Sequence, residues 1–258
     1  MRLDQLLPPE MVLPATAEAL ERGNAALAVA IIAHELDTAT SLEPEASVRL
    51  LAQGAIAARM AGDDQSALRW SADAVGHAAD AGPIEQVLAA SVFAFAQPRA
   101  TSGDAAAATA SRLDHLLESV PGEPIEAFGW YASLFAWIVA GDTVRARHAL
   151  GRLRALPAGR TLWVSARAQV CEAVIDYLEC NPAGVSSVLD LLQPLTVAAG
   201  STLPLASMWW EIAELRYRLG HEEQAWAAAA RAADASGVRA ADGRSSFAPG
   251  VLTWDLSI

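Results

Sequence analysis

The sequence predicts an all-α fold, an α-solenoid of about six helix-turn-helix repeats followed by a non-repeat C-terminal tail. Three observations carry that expectation. The 258 residues include 58 Ala, with 17 Gly and 13 Pro spread along the chain; Ala has the highest helix propensity and β-branched runs are scarce. Glycine- or asparagine-centred turns recur at Arg22-Gly23-Asn24, Ala61-Gly62-Asp63, Ser102-Gly103-Asp104, Ala140-Gly141-Asp142, Cys180-Asn181-Pro182 and Leu219-Gly220-His221, their centres 39, 41, 38, 40 and 39 residues apart. A period near 40 is typical of stacked helical units that bury their apolar sides only against one another. Finally, apolar residues at helical spacing flank every turn.

The units follow in order. The first spans about Pro9 to Asp37, with Ala28, Ile31, Ile32 and Glu35 on its second helix. The second, Glu45 to Ala81, sets Leu51, Gly54, Ala55 and Ala58 before Ala67, Trp70 and Ala74. In the third, Pro83 to Val120, Pro98 ends the first helix early and lengthens the turn. The fourth, Glu123 to Leu156, has Trp130, Ser133, Leu134 and Trp137 before Ala146, Ala149 and Leu153. Unit five, Arg160 to about Thr196, has Val170, Ala173, Val174 and Tyr177 before Val185, Leu189 and Leu192. Unit six is the most regular: Trp209, Ile212, Ala213 and Arg216 face Ala225, Ala229 and Ala232. At most of these turns Gly supplies a left-handed C-cap, and the Asp or Asn after it caps the next helix. No breaker between units is long enough to be a domain linker, so residues 1–236 read as one repeat domain.

The tail, 237–258, departs from this rhythm. Asp242-Gly243 and Pro249-Gly250 signal turns, and Leu252, Trp254, Leu256 and Ile258 alternate with polar residues. It reads as a strap over the last helix pair, since terminal repeats need a cap. The other reading is a peptide for its own groove or a neighbouring subunit.

A net charge of −12 argues against direct nucleic-acid binding and against an anionic membrane surface. All 18 basic residues are Arg. Without Lys there is no Walker-type phosphate loop, no Schiff base to pyridoxal phosphate and no lysine general base. Cys171 and Cys180, on opposite faces if one helix holds both, read as free thiols. The start at Met1-Arg2-Leu3-Asp4 lacks a signal-peptide core, and prolines interrupt the longest uncharged run; the expectation is a cytoplasmic protein.

Trp209-x-x-Ile212-Ala213, then Gly220, then Ala225 and Ala232 resembles the tetratricopeptide repeat pattern. Ala140-Gly141-Asp142 with Ala146, and Ala61-Gly62-Asp63 with Ala67 and Ala74, are similar to it. The period of 39–40 exceeds that family's 34 and is closer to the sensor solenoid of maltose-regulator-like bacterial transcription activators, whose NTPase and helix-turn-helix modules have no counterpart here. The resemblance implies a right-handed scaffold whose concave face, lined by first helices, takes a protein or peptide. It also admits a small-effector sensor within a transcription or signalling system, and a homodimer is possible.

Carried over in register, the partner-binding positions include Arg59, Phe128, Tyr131, Phe135, Trp210, Glu214, Tyr217 and Arg218, and Arg167 joins them as a cation able to grip a carboxylate. Aromatic residues and Arg dominate binding hot spots, and Arg grips carboxylates bidentately. The competing readings are core filling between units for Tyr131, Phe135 and Trp210, and an i, i+4 bridge for Glu214 with Arg218. His115-x-x-Glu118 is half of a di-iron pattern without its partner, so no metal site is expected. No nucleophile, zincin or dinucleotide motif is present, no cofactor is implied and no enzyme is expected. One enzymatic alternative is an α/α toroid with Glu126, Glu172 and Glu211 converging at its centre.

Overall fold

The computed structural model describes residues 13–21, 24–38, 42–97, 102–157, 162–198 and 203–236. Among these the chain is all-helical, with twelve α-helices, one 3-10 turn at Ala78–Asp80 and no strand. The helices are α1 (Pro14–Glu21), α2 (Ala25–Thr38), α3 (Pro44–Ala61), α4 (Asp64–His77), α5 (Pro83–Ala96), α6 (Gly103–Leu117), α7 (Ile125–Val139), α8 (Thr143–Ala155), α9 (Leu162–Leu178), α10 (Pro182–Ala198), α11 (Leu203–Arg218) and α12 (Glu222–Ser236). They follow one another as six successive pairs, and the turns at Gly62, Gly141 and Gly220 fall where the sequence places them. The tail at 237–258 lies outside the described residues, and with it both readings of its role.

The same hydrogen bonds close most of these turns. The residue after each left-handed position returns its N–H to a carbonyl five residues back: Asp63 to Ala58 at 2.9 Å, Asp142 to Trp137 at 3.0 Å, Asn181 to Asp176 at 2.8 Å and His221 to Arg216 at 2.9 Å. Gly62, Gly141 and Gly220 hold φ of 79°, 75° and 78°, the left-handed conformation that closes a helix without a Cβ clash. In the fifth pair that position belongs to Cys180 (φ 57°), one residue before the turn centre expected from sequence. Side-chain oxygens then cap the following helices: Asn24 accepts from Leu27 N–H, Asp63 from Ser66, Asp142 from Arg145 and Asn181 from Gly184, all at 3.0–3.1 Å. The third pair differs. Gly103 is the first residue of α6 rather than a C-cap, and Ser102 is the N-cap, accepting from Ala105 N–H.

The fold comprises two compact parts, Met1–Ala149 and Leu150–Ile258. In the N-terminal part α3, α5 and α7 are the spine. Helix α5 packs on both other spine helices, and α2, α4 and α6 pack between successive first helices. The C-terminal part repeats the scheme: α9 packs on α10 and α11, α10 on α11, and α11 on α12.

The apolar stripes read from sequence are the buried ones. Ala67, Trp70 and Ala74 on α4, Ala146, Ala149 and Leu153 on α8, and Val185, Leu189 and Leu192 on α10 are all buried. Small residues bring the backbones close: a Cβ on Gly54 of α3 would meet the Trp70 ring at 2.7 Å and Ile32 Cγ2 at 2.8 Å. First helices are enclosed on more sides than an open groove would leave. Every residue of α7 from Phe128 to Ile138 is buried, and so is α3 from Leu50 to Arg59.

Candidate functional site

Burial sorts the expected partner-binding residues into two groups. Phe128, Tyr131 and Phe135 on α7 belong to the core. All three rings lie 5.3–5.4 Å, centroid to centroid, from Phe95 on α5, tilted against it, and each is at most 5% exposed. They cement the contact between first helices and offer a partner almost no surface, contrary to a groove-lining role. Arg59 is also buried, its guanidinium turned onto the Asp64 carboxylate at the start of α4. Arg167 is buried against Glu211, its Nη1 2.9 Å from Oε2, an ion pair that joins α9 to α11.

The second group gathers on α11. Trp210, Glu214, Tyr217 and Arg218 fall at i, i+4, i+7 and i+8, one face of the helix. Trp210 is half-buried and Tyr217 is 63% exposed. Arg218 donates to Glu214 Oε1 at 2.7 Å, and its guanidinium lies 5.9 Å from the Tyr177 ring of α9. Burial works against its charge, but the bonds to Glu214 and Tyr177 outweigh it and raise the Arg218 pKa. The local salt bridge expected for this Arg is therefore present, and an aromatic–cationic–acidic patch surrounds it.

Beneath the patch Glu211 sits in an environment built against its charge. Burial pushes its carboxyl up to about 7, Glu214 adds to the rise, and the Arg167 charge and hydrogen bond pull the other way. Its Oε1 has no hydrogen-bond partner among the described residues. Cys171, one turn beyond Arg167 on α9, is also buried, and burial pushes its thiol up to about 12; Cys180 is exposed.

The three carboxylates considered for a toroidal centre are each engaged locally. Glu126 accepts from Gly122 N–H at 2.8 Å and Trp130 Nε1 at 3.2 Å, Glu172 pairs with Arg154 at 2.6 Å, and Glu211 holds Arg167. His115 and Glu118 form an exposed pair at 3.5 Å. Among the described residues no three His, Cys, Asp or Glu side chains gather as metal ligands, and no helix is long and apolar enough to cross a membrane.

One feature escapes a reading based on whole-chain charge. From Thr143 to Cys171 there is no carboxylate, yet the stretch holds six of the 18 Arg: Arg145, Arg147, Arg152, Arg154, Arg160 and Arg167. A windowed charge count along the sequence would have found it. Compared with protein-family models, curated proteins and solved structures, the chain matches none.

Proposed function

We propose that the chain is a tetratricopeptide-like repeat scaffold, a right-handed array of about six helix pairs, that binds a segment of another protein and catalyses no reaction. The pairs recur with matching caps at a period near 40, and first helices pack side by side within each part. The observation that carries the binding role is the α11 patch. Trp210, Tyr217 and Arg218 are the residue types that dominate interface hot spots, and here they share one partly exposed face. Rigid aromatic rings offer contact area at low entropic cost, and the Glu214–Arg218 pair presents a preset donor and acceptor.

The experiment is affinity capture from native lysate with the wild-type chain and with a Tyr217→Ala, Arg218→Ala double variant. A partner retained by the first and lost by the second, with helicity unchanged, supports the reading. Equal capture by both moves the binding site elsewhere. No specific partner, together with stabilisation by a small-molecule library in a thermal-shift screen, would replace it with an effector sensor.

A further inference from the structure

We propose that one side of the α11–α12 hairpin is a docking surface for the chain's own residues 252–258, with Leu252, Trp254, Leu256 and Ile258 turned onto Tyr217 and Trp226. The proposal does not rest on the α11 patch binding another protein. Where that patch also takes a partner, tail and partner compete for Tyr217.

The hairpin has one closed side and one open side. Helices α11 and α12 pack along Trp209, Ile212, Ala213 and Arg216 on the first and Ala225, Ala229 and Ala232 on the second; all are buried except Ala229, which is half-buried. One residue is a step of about 100° around a helix. Because the two helices run antiparallel, residues directly before these stripes project to one side of the pair, and residues directly after them to the other. On the first side Met208, Glu211 and Leu215 of α11 and Ala228 of α12 are buried. There Glu211 holds Arg167 of α9, and Arg216 donates to Asp190 of α10. The second side is different. Tyr217 is 63% and Trp226 72% exposed, Ala230 is exposed as well, and Glu214 is half-buried.

An inner pair shows what this side is for. Glu214 and Tyr217 stand six and three residues before Gly220, as Ile56 and Arg59 stand before Gly62 on α3. Ile56 and Arg59 are both buried. Helix α5, the next first helix, packs on α3, and Arg49, one turn before Gln53 on α3, bonds Glu85 at its start. The open side of α11–α12 is thus the one on which a following unit would stack, and α12 is the last described helix.

Length, pattern and tether select the tail as the occupant. Residues 252–258 alternate apolar and polar, so four apolar side chains share one edge at intervals of about 6.6 Å and span roughly 20 Å. Helix α12, with 15 residues, is about 22 Å long. Trp226 lies ten residues, roughly 15 Å, back from Ser236, so the chain must reverse to reach it. Asp242-Gly243 and Pro249-Gly250 supply turn chemistry for that reversal, and the intervening residues can reach roughly 50 Å. A segment tethered this closely acts at an effective concentration of about a millimolar, which a free peptide seldom matches.

The test is disulfide trapping in the full chain, in a Cys180→Asn background, because Asn is tolerated at that left-handed position. Ala230→Cys is combined in turn with a cysteine at each position from 252 to 257, and oxidised monomer is counted on non-reducing gels at several protein concentrations. The fastest of Leu252→Cys, Trp254→Cys and Leu256→Cys should trap within one chain at least about tenfold faster than any of Thr253→Cys, Asp255→Cys and Ser257→Cys. It should also outpace, by a similar factor, the same tail cysteine combined with Ser187→Cys, an exposed control on α10. Adding Tyr217→Ala and Trp226→Ala, both exposed and outside the core, should slow trapping several-fold without changing helicity. Rates without alternation, equal trapping by Ser187→Cys, or no slowing in the double variant would each overturn the proposal. Cross-links that form only between two chains and rise with concentration would also overturn it, giving the face to a neighbouring copy.

Discussion

Replacing Gly54 with Ala separates close helix packing from mere helix propensity. Alanine within a helix is favoured over glycine by about 1 kcal/mol, so on propensity alone the substitution stabilises. Its Cβ, however, would lie 2.7 Å from Trp70 Cε3, 2.8 Å from Ile32 Cγ2 and 3.1 Å from Trp70 Cζ3. Neither neighbour yields cheaply. The Trp ring is rigid and buried, and the Ile methyl sits on a β-branched carbon whose χ1 is fixed in a helix. Overpacking of this kind costs about 1–3 kcal/mol, leaving a net destabilisation of roughly 0–2 kcal/mol after the propensity gain. Gly76→Ala on α4, in the same part of the chain, meets nothing within 4 Å and should be neutral or stabilising by a few tenths to about 1 kcal/mol. Gly129→Ala falls between: its nearest obstacle is the tip of Leu117, which can rotate aside, with Val87 Cγ1 behind at 3.0 Å. Urea denaturation followed by circular dichroism should rank Gly76→Ala as most stable, then Gly129→Ala, then Gly54→Ala. The outer two should be separated by roughly 0.5–1 M in midpoint. If Gly54→Ala unfolds at or above the midpoint of Gly76→Ala, α2, α3 and α4 do not approach as closely as described.

Three further outcomes follow from single groups. Glu211 has a folded-state pKa of about 7 against an ordinary 4.5, so the folded form holds the proton more tightly and its contribution to stability is lost as pH rises through that window. Stability of the wild type relative to Glu211→Gln should therefore fall from about pH 4.5 to about pH 7, by up to about 1.4 kcal/mol per pH unit, and then level off; parallel profiles would refute this. Cys180 should react with a thiol-specific chromogenic reagent at pH 8 while buried Cys171 reacts at least about a hundredfold more slowly until urea exposes it. Asp63→Ala removes the cap on Ser66 N–H and Gly62→Ala forces a Cβ into a left-handed turn, so each should cost about 1 kcal/mol in the same melt.

Much of this fold is legible because one period controls two things at once. The glycine that ends a first helix and the Asp or Asn that starts the second are adjacent, so Gly62-Asp63 and Gly141-Asp142 fix both boundaries by local rules. The stripe of Ala67, Trp70 and Ala74 then follows from helical geometry. Where local chemistry differs, the reading shifts: Ser102 caps α6, which moves the third turn, and in the fifth Cys180, one residue before the turn centre, takes the left-handed position. The candidate site is harder to read because its key contacts span repeats. Arg167 and Glu211 are 44 residues apart, and Arg49 and Glu85, joined by a 3.0 Å bond, are 36 apart. Each offset is close to one period, so a cation on one first helix faces an acid on the next. Within a single unit both residues look like surface charges. Tyr131 and Phe135 mislead for the same reason: Phe95, which encloses them, comes from the preceding unit.

Net charge misleads at a different scale. A value of −12 is an average over 258 residues, yet a partner at a surface samples charges within a screening length of about 8 Å. Local order then outweighs the total. Six of the 18 Arg fall in an acid-free run of 29 residues, Thr143 to Cys171, whatever the remainder carries. Aggregate charge predicts long-range attraction or repulsion of a whole partner, while the sign of each helix face decides what docks there. A count along the sequence is not yet the sign of a face, since Arg154 of that run pairs with Glu172 and Arg167 is buried on Glu211.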